Sequence, residues 1–201
     1  MTSCPASASS YRPEFLKTRA SCTHPGHPVY TCVILISWST TAWSIDKNII
    51  GTANIVKYCY KHNKRLVYIS TDYIYPGDKG NYSESDAILP YNEYAWTKLG
   101  GECSVILLNN YLIIRTSFGN DNFPYEQAWE NQIVSKDYID IIAPKILKAS
   151  ISDVKGILNI GTHPKTMFEY ASKRNNVKKA LLNNKTNFSL NINKYEQLFS
   201  N

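Results

Sequence analysis

Ser70-Thr71-Asp72 ends the apolar run at residues 66–70, and Tyr94 and Lys98 follow at the start of a helix-like stretch preceded by Pro90. About one helical turn separates the tyrosine from the lysine, which puts both on one face. These residue types, in this order, suit the reduction of a ketone. A phenol can give a proton to the developing alkoxide, although at its ordinary pKa of about 10 it is a slow acid at neutral pH. An ammonium nearby favours the phenolate and lowers that pKa, so Lys98 is expected to activate Tyr94. A hydroxyl at the carboxyl end of a strand can hold and align the carbonyl oxygen, which is the part expected of Thr71. Asp72 is placed either to orient a substrate hydroxyl or simply to form the turn.

Spacing alone carries little here, because the chain holds 15 Tyr and 17 Lys among 201 residues. Chance supplies about one Tyr-x-x-x-Lys pair in such a composition, and three occur. Tyr60 and Lys64 fall where a helix gives way to a strand, and a solvated helix end is expected for them. Tyr75 and Lys79 lie in the turn-rich PGDKG segment. Only Tyr94 and Lys98 have a strand-end hydroxyl before them and a helix to carry them.

The elements that must position these groups follow from periodicity. Ile49, Ile50, Ala53, Val56 and Tyr60 recur at helical spacing, and residues 66–70 form a continuous apolar strand of the kind buried in a parallel sheet. A helix is expected from Tyr94 to about Asn109, with Leu99, Cys103, Ile106 and Leu107 as its packing face. Gly100-Gly101 within it weakens the helix and is expected to let neighbouring backbone approach closely. Residues 111–116 read as the next buried strand and 118–124 as a loop opening a second lobe. Beyond it are expected a strand at 138–142 feeding a helix at 144–150, a strand at 157–160 and a helix at 166–173. The Asn- and Lys-rich tail from Asn183 is expected to be the least ordered part. Helix, strand, loop, helix, strand is a half-wound α/β pattern.

Four blocks in order, NIIGTANIVKYC, RLVYISTDYIYPG, YSESDAILPYNEYAWTKLGGE and YLIIRTSF, resemble the extended short-chain dehydrogenase/reductases. The branch they are most similar to is the dTDP-4-dehydrorhamnose reductase group of nucleotide-sugar reductases, and the likeness runs over roughly residues 45–180. The resemblance implies a Rossmann-like, doubly wound parallel sheet, in part, with a small C-terminal substrate lobe. It implies Thr71, Tyr94 and Lys98 as the catalytic set. NADP or NAD would be met by Asn48, Ser70, Tyr94, Lys98, Thr116 and Ser117. A nucleotide-diphosphate sugar would be met by Thr71, Asp72 and Phe118. The implied activity is reduction of a 4-keto-6-deoxy nucleotide sugar. Two other readings stand beside it: a non-catalytic regulatory or binding protein of the same fold, as the beta subunit of methionine adenosyltransferase resembles this branch, and an inactive truncated product.

The family opens with a Gly-rich turn whose amides hold the cofactor pyrophosphate, and nothing in residues 1–47 has that pattern, Gly26 being the only glycine there. All 19 Asn lie at or after Asn48, while residues 1–47 hold 14 Ser or Thr and three of the five Cys. The organisation expected is therefore a divergent, unstructured segment at 1–44 and a truncated reductase domain at 45–201. Within that domain the core spans about 45–117 and the substrate lobe about 118–201. The apolar stretch at 29–43 is too short and too rich in Ser and Thr for a membrane span, and a strand at 29–37 is expected instead. Cys22, His24, His27 and Cys32 lack a paired zinc spacing and read as a turn around Pro25, Gly26 and Pro28, so no metal is expected. Cys59 and Cys103 are expected as free thiols in a core, and a cytoplasmic location follows from the lack of a disulfide framework or secretory signal. The net charge of +6 is compatible with a nucleotide diphosphate. The basic residues are dispersed, so neither nucleic acid nor membrane is expected as a partner. An open sheet edge would allow self-association.

Overall fold

The computed structural model describes residues 41–199. The strand expected at 29–37 and the Cys22, His24, His27 and Cys32 group lie outside the described residues. The described chain starts with one continuous helical run, composed of α1 (Thr41–Ser44), a π-helical segment (Ile45–Gly51) and α2 (Thr52–Lys61). Next come β1 (Leu66–Thr71), α3 (Glu93–Val105), β2 (Tyr111–Thr116), β3 (Phe118–Gly119), β4 (Gln127–Trp129), β5 (Gln132–Val134) and β6 (Asp137–Tyr138). The remainder is α4 (Ile139–Ile151), β7 (Gly156–Ile160), β8 (Lys165–Thr166), α5 (Met167–Ser172), β9 (Lys178–Ala180), β10 (Thr186–Asn187) and α6 (Asn193–Phe199).

Strands β1, β2 and β7 form a parallel sheet in that order, in which Thr71 lies opposite Thr116 and Thr116 opposite Ile160. Both faces are covered, which is why β1 and β2 read as unbroken apolar runs. On one face Leu66, Tyr68 and Ile113 pack with Val56 and Cys59 of α2 and Val105 of α3. On the other, Val67, Ile69, Leu112, Ile114, Leu158 and Ile160 pack with Ala149 of α4 and Tyr195 of α6. A separate cluster of Ala128, Val134, Tyr138, Met167, Tyr170 and Ala171 builds the second lobe.

The helical run buries Ser44, Asn48, Thr52, Val56 and Cys59, spaced by three or four residues. Of the face expected from periodicity only Val56 is buried, while Ile50 and Tyr60 are exposed. The buried face is polar where the run meets α3, and a search for apolar spacing cannot see it. On α3, too, the packing face differs from expectation. Ala95, Lys98, Gly101, Glu102 and Val105 are buried, whereas Leu107 is 74% exposed and Cys103 also faces out. Cys59 is buried as expected.

Gly100 and Gly101 do permit a close approach. A Cβ on Gly101 would collide with Tyr68 Oη and sit 2.7 Å from the Asn48 carbonyl oxygen, and one on Gly100 would sit 2.9 Å from Ile49. Gly101→Ala is therefore expected to cost about 1–3 kcal/mol of unfolding free energy through overpacking, measured by urea denaturation. Wild-type stability in that variant would mean that α3 and the π-helical segment separate without penalty.

Two expectations for the C-terminal half are corrected. Only Asp137–Tyr138 is strand, and α4 starts at Ile139 with Pro144 inside it. The tail is built in: Phe188, Leu190 and Ile192 are buried, Tyr82 and Leu190 form a parallel bridge, and α6 follows. The helix expected at 166–173 is α5, with Thr166 as its cap in a reciprocal capping box with Glu169. No helix among the described residues is long and apolar enough to cross a membrane.

Candidate active site

Strand β1 ends at Thr71, which caps the 3-10 turn Asp72–Ile74. Its Oγ1 accepts from the Tyr73 amide and donates to Asp72 Oδ1, each at 3.2 Å. Two backbone bonds then bring the following helix alongside. The amides of Leu89 and Tyr91 donate to the carbonyls of Ile74 (3.1 Å) and Tyr73 (2.8 Å). Asn92, extended, caps α3 by accepting from the Ala95 amide at 2.9 Å. The first turn of α3, with Tyr94, is thus held beside the carboxyl end of β1, where open parallel sheets bind ligands.

Asn48 anchors this turn from the opposite side. Its Nδ2 donates to Thr97 Oγ1 at 2.9 Å, and Thr97 Oγ1 donates to the Tyr94 carbonyl at 2.7 Å. Asn48 lies inside the π-helical segment, and such wide turns often mark functional positions. Tyr68 Oη donates to the Lys98 carbonyl at 3.1 Å, and the Lys98 ammonium lies 4.2 Å from the centre of the Tyr68 ring. These links fix the backbone on both sides of the Tyr94–Lys98 turn.

The electrostatics centre on Asp72. Burial raises its carboxyl to about 6, against the lowering effects of the Lys136 ammonium and of hydrogen bonds from Thr71 and Ser117. Burial also holds the Tyr94 phenol well above its ordinary range, and the Asp72 charge adds to the shift. Lys98 is lowered to about 7 by burial, with Glu102 opposing. The expectation that Lys98 lowers the Tyr94 phenol is thus not met: among the described residues the charge acting on the phenol is Asp72, and the Lys98 ammonium lies over Tyr68.

Lys98 is 1% exposed, so its titration bears on stability. The unfolded lysine holds its proton to about 10.5, whereas the folded one loses it from about 7. Between these values the unfolded state binds more protons, and stability rises with pH. Wild type is therefore expected to gain in Tm relative to Lys98→Met as pH goes from 7 to 10. A constant difference across that window would sink the assignment.

Several buried polar groups near the strand ends have no hydrogen-bond partner among the described residues: Ser70 Oγ, Thr116 Oγ1, Asn48 Oδ1 and the Lys98 ammonium. Two hydroxyls, an amide oxygen and an ammonium are the kinds of donor and acceptor that the ribose and amide of a nicotinamide nucleotide would need, with Ser70 on the α3 face of the sheet and Thr116 on the other. Phe118, half-buried, begins β3 opposite Asp137. The residues 70–72, 94, 98 and 116–118 therefore gather at one end of the parallel sheet. Among the described residues no group of three or more His, Cys, Asp or Glu side chains could hold a metal.

Sequence reasoning missed two contributors. Lys136 reaches the site from the second lobe, and the buried pair Glu102 and Arg115 stands behind Lys98, joined at 2.8 Å. Glu102 follows Lys98 by four residues on the same helix face, and that spacing was a readable signal. Lys136 had none, because nothing local marks a lysine whose neighbours come from distant strands.

The family model for the RmlD substrate binding domain matches residues 39–142. A dTDP-4-dehydrorhamnose reductase of Aggregatibacter actinomycetemcomitans is 29% identical over 111 residues, which is 53% of this chain and 37% of that protein. Methionine adenosyltransferase 2 subunit beta of Rattus norvegicus is 37% identical over 59 residues, 29% of this chain and 18% of that one. The chain thus spans little more than a third of the first of these relatives and less than a fifth of the second. Among solved structures, a dTDP-4-dehydrorhamnose reductase from Bacillus anthracis in complex with NADP superposes with a TM-score of 0.69 at 22% identity. That match covers 84% of this chain and 73% of the other, and it shows a shared Rossmann-like fold.

Proposed function

The chain belongs to the RmlD substrate binding domain family, and from that premise we propose that it carries the reacting half of an NAD(P)-dependent reductase of 4-keto-6-deoxy nucleotide sugars. The observation that supports this reading best is the meeting of Thr71 and Asp72 at the end of β1 with the Tyr94 turn of α3, tied from behind by Asn48. The nicotinamide, when bound, supplies the hydride. Lys98, Ser70, Thr116 and Asn48 are the residues with free hydrogen-bonding capacity to hold its ribose and amide, with Ser117 beside them.

In this reading Thr71 Oγ1 turns from Asp72 to the substrate carbonyl oxygen, and Tyr94 Oη delivers the proton to that oxygen. A phenol held above its ordinary pKa stays protonated at neutral pH, so the donor is always loaded. Asp72 accepts from a sugar hydroxyl, and Phe118 lines the same crevice. The test is titration of the 201-residue chain with NADPH and NADH, followed by assay of dTDP- and UDP-linked 4-keto-6-deoxy sugars. Cofactor binding with substrate reduction supports the reading; a folded chain that binds neither cofactor nor sugar nucleotide rules it out.

The high phenol pKa favours one alternative, a non-catalytic binding subunit, in which Tyr94 is a packed side chain and no proton moves. The sequence likeness to a methionine adenosyltransferase beta subunit over 59 residues supports it by analogy alone. Co-purification with a larger enzyme, unaffected by Tyr94→Phe, would favour it.

A further inference from the structure

Lys136 lies just before β6, and the strand pairings fix what it faces. Thr71 lies opposite Thr116 across β1 and β2, and Phe118 opposite Asp137 across β3 and β6. Asp72, one residue past the first pairing, and Lys136, one residue before the second, therefore flank Ser117 and Phe118 from two sides. The Lys136 stem runs along Gly119: a Cβ there would meet Lys136 Cε at 3.2 Å. Its ammonium is 5.5 Å from the centre of the Tyr170 ring, and its carbonyl is held by the Lys165 ammonium at 3.2 Å.

This ammonium has no hydrogen-bond acceptor and no ion pair among the described residues, although the other site-side lysine of the lobe, Lys165, is paired with Asp137 at 2.9 Å. Asp72 likewise has no ion pair among the described residues, and the two strand registers set it and Lys136 on opposite sides of Ser117. Each nonetheless acts on the other's titration. A carboxylate acceptor on one side of Ser117 and an ammonium donor on the other are matched by a sugar ring edge. One hydroxyl of such an edge gives its proton to the acceptor, and a neighbouring oxygen takes a proton from the donor.

We infer that Lys136 is a substrate-binding residue that, with Asp72 on the other side of Ser117, grips the hydroxylated edge of the sugar ring and contributes to its recognition. This rests on the nucleotide-sugar reading above and adds to it the residue that recognises the sugar moiety rather than the diphosphate. The Asp72 and Lys136 charges offset one another, so a neutral, polyhydroxylated ring is the class of ligand served.

Calorimetric titration of the full chain with dTDP-glucose and with dTDP, and with UDP-glucose and UDP, separates the sugar's contribution from the nucleotide's. Lys136→Met is expected to weaken the sugar nucleotide about tenfold or more, the scale of one charged hydrogen bond, while leaving the bare diphosphate unchanged. Lys136→Arg is expected to keep most of the sugar's increment. Lys136 donates no hydrogen bond among the described residues, but its charge offsets that of buried Asp72, so Lys136→Met is expected to lose some Tm while a native circular-dichroism spectrum and a cooperative melt certify folding of either variant. Equal losses for sugar nucleotide and diphosphate would place Lys136 on the phosphates and overturn the inference, as would no loss for either. A wild-type chain that binds none of the four ligands would instead remove the nucleotide-sugar reading itself, and this inference with it.

Discussion

Glu102→Ala is expected to lower the unfolding free energy by about 3–5 kcal/mol, the scale for breaking a buried ion pair by removing one partner. Glu102 and Arg115 are both about 1% exposed, and they meet twice, Arg115 Nη2 to Glu102 Oε2 at 2.8 Å and Nε to Oε1 at 3.3 Å. Arg115 also donates to Tyr75 Oη at 2.9 Å and to the Glu84 carbonyl at 3.3 Å. The guanidinium thereby ties β2 to α3 and to the long loop before α3. Without the carboxylate, a full positive charge stays buried with only neutral acceptors. The double variant Glu102→Leu with Arg115→Met removes both charges and is expected to be more stable than Glu102→Ala, because no uncompensated ion is left. Urea denaturation of the two variants and wild type checks both statements. A loss below about 1 kcal/mol for Glu102→Ala would mean that water reaches the pair and that it behaves as a surface bridge.

The same pair shows what local sequence can and cannot reveal. Strand β2 was legible to its ends, because a run of β-branched and aromatic residues bounded by Asn and a loop admits few other readings. Arg115 within that run reads locally as an intrusion of charge into a core strand. Its partner sits thirteen residues back on a helix, and only the folded geometry brings them together. The catalytic candidates could be drawn up for the opposite reason: a strand-end hydroxyl and a Tyr-x-x-x-Lys turn are local patterns that need no tertiary knowledge to find. The N-terminal boundary of α4 was misplaced because Pro144 resembles a helix start. In the fold it occupies the second turn of α4, whose Ile142 and Ala149 are buried. The tail was underrated because its Asn and Lys content masked an alternation of Phe188, Leu190 and Ile192. That period of two was the signal of buried extended chain.

Tyr94→Phe is expected to reduce turnover of a 4-keto-6-deoxy nucleotide sugar by about 10²–10⁴-fold, the contribution of one positioned proton donor, while leaving substrate affinity near wild type. The substitution removes one oxygen and keeps the ring, so the link from Asn48 through Thr97 to the Tyr94 carbonyl is undisturbed. The wild-type pH profile carries a second expectation. Once Tyr94 has given up its proton, burial and the Asp72 carboxylate both disfavour the phenolate, so a proton must be returned from a nearby acid. Lys98, titrating near 7, is the acid one helical turn away. It is charged below that value and spent above it, so turnover should fall as pH rises through about 7. Lys98→Arg, whose guanidinium keeps its proton, should abolish the fall by fixing the charge, at a lower plateau because the proton is no longer exchangeable. Undiminished turnover in Tyr94→Phe would show that the proton comes from elsewhere and that Tyr94 is a packing residue of α3. Loss in Tyr94→Phe combined with a flat wild-type profile would keep Tyr94 as donor and remove Lys98 from the proton's path.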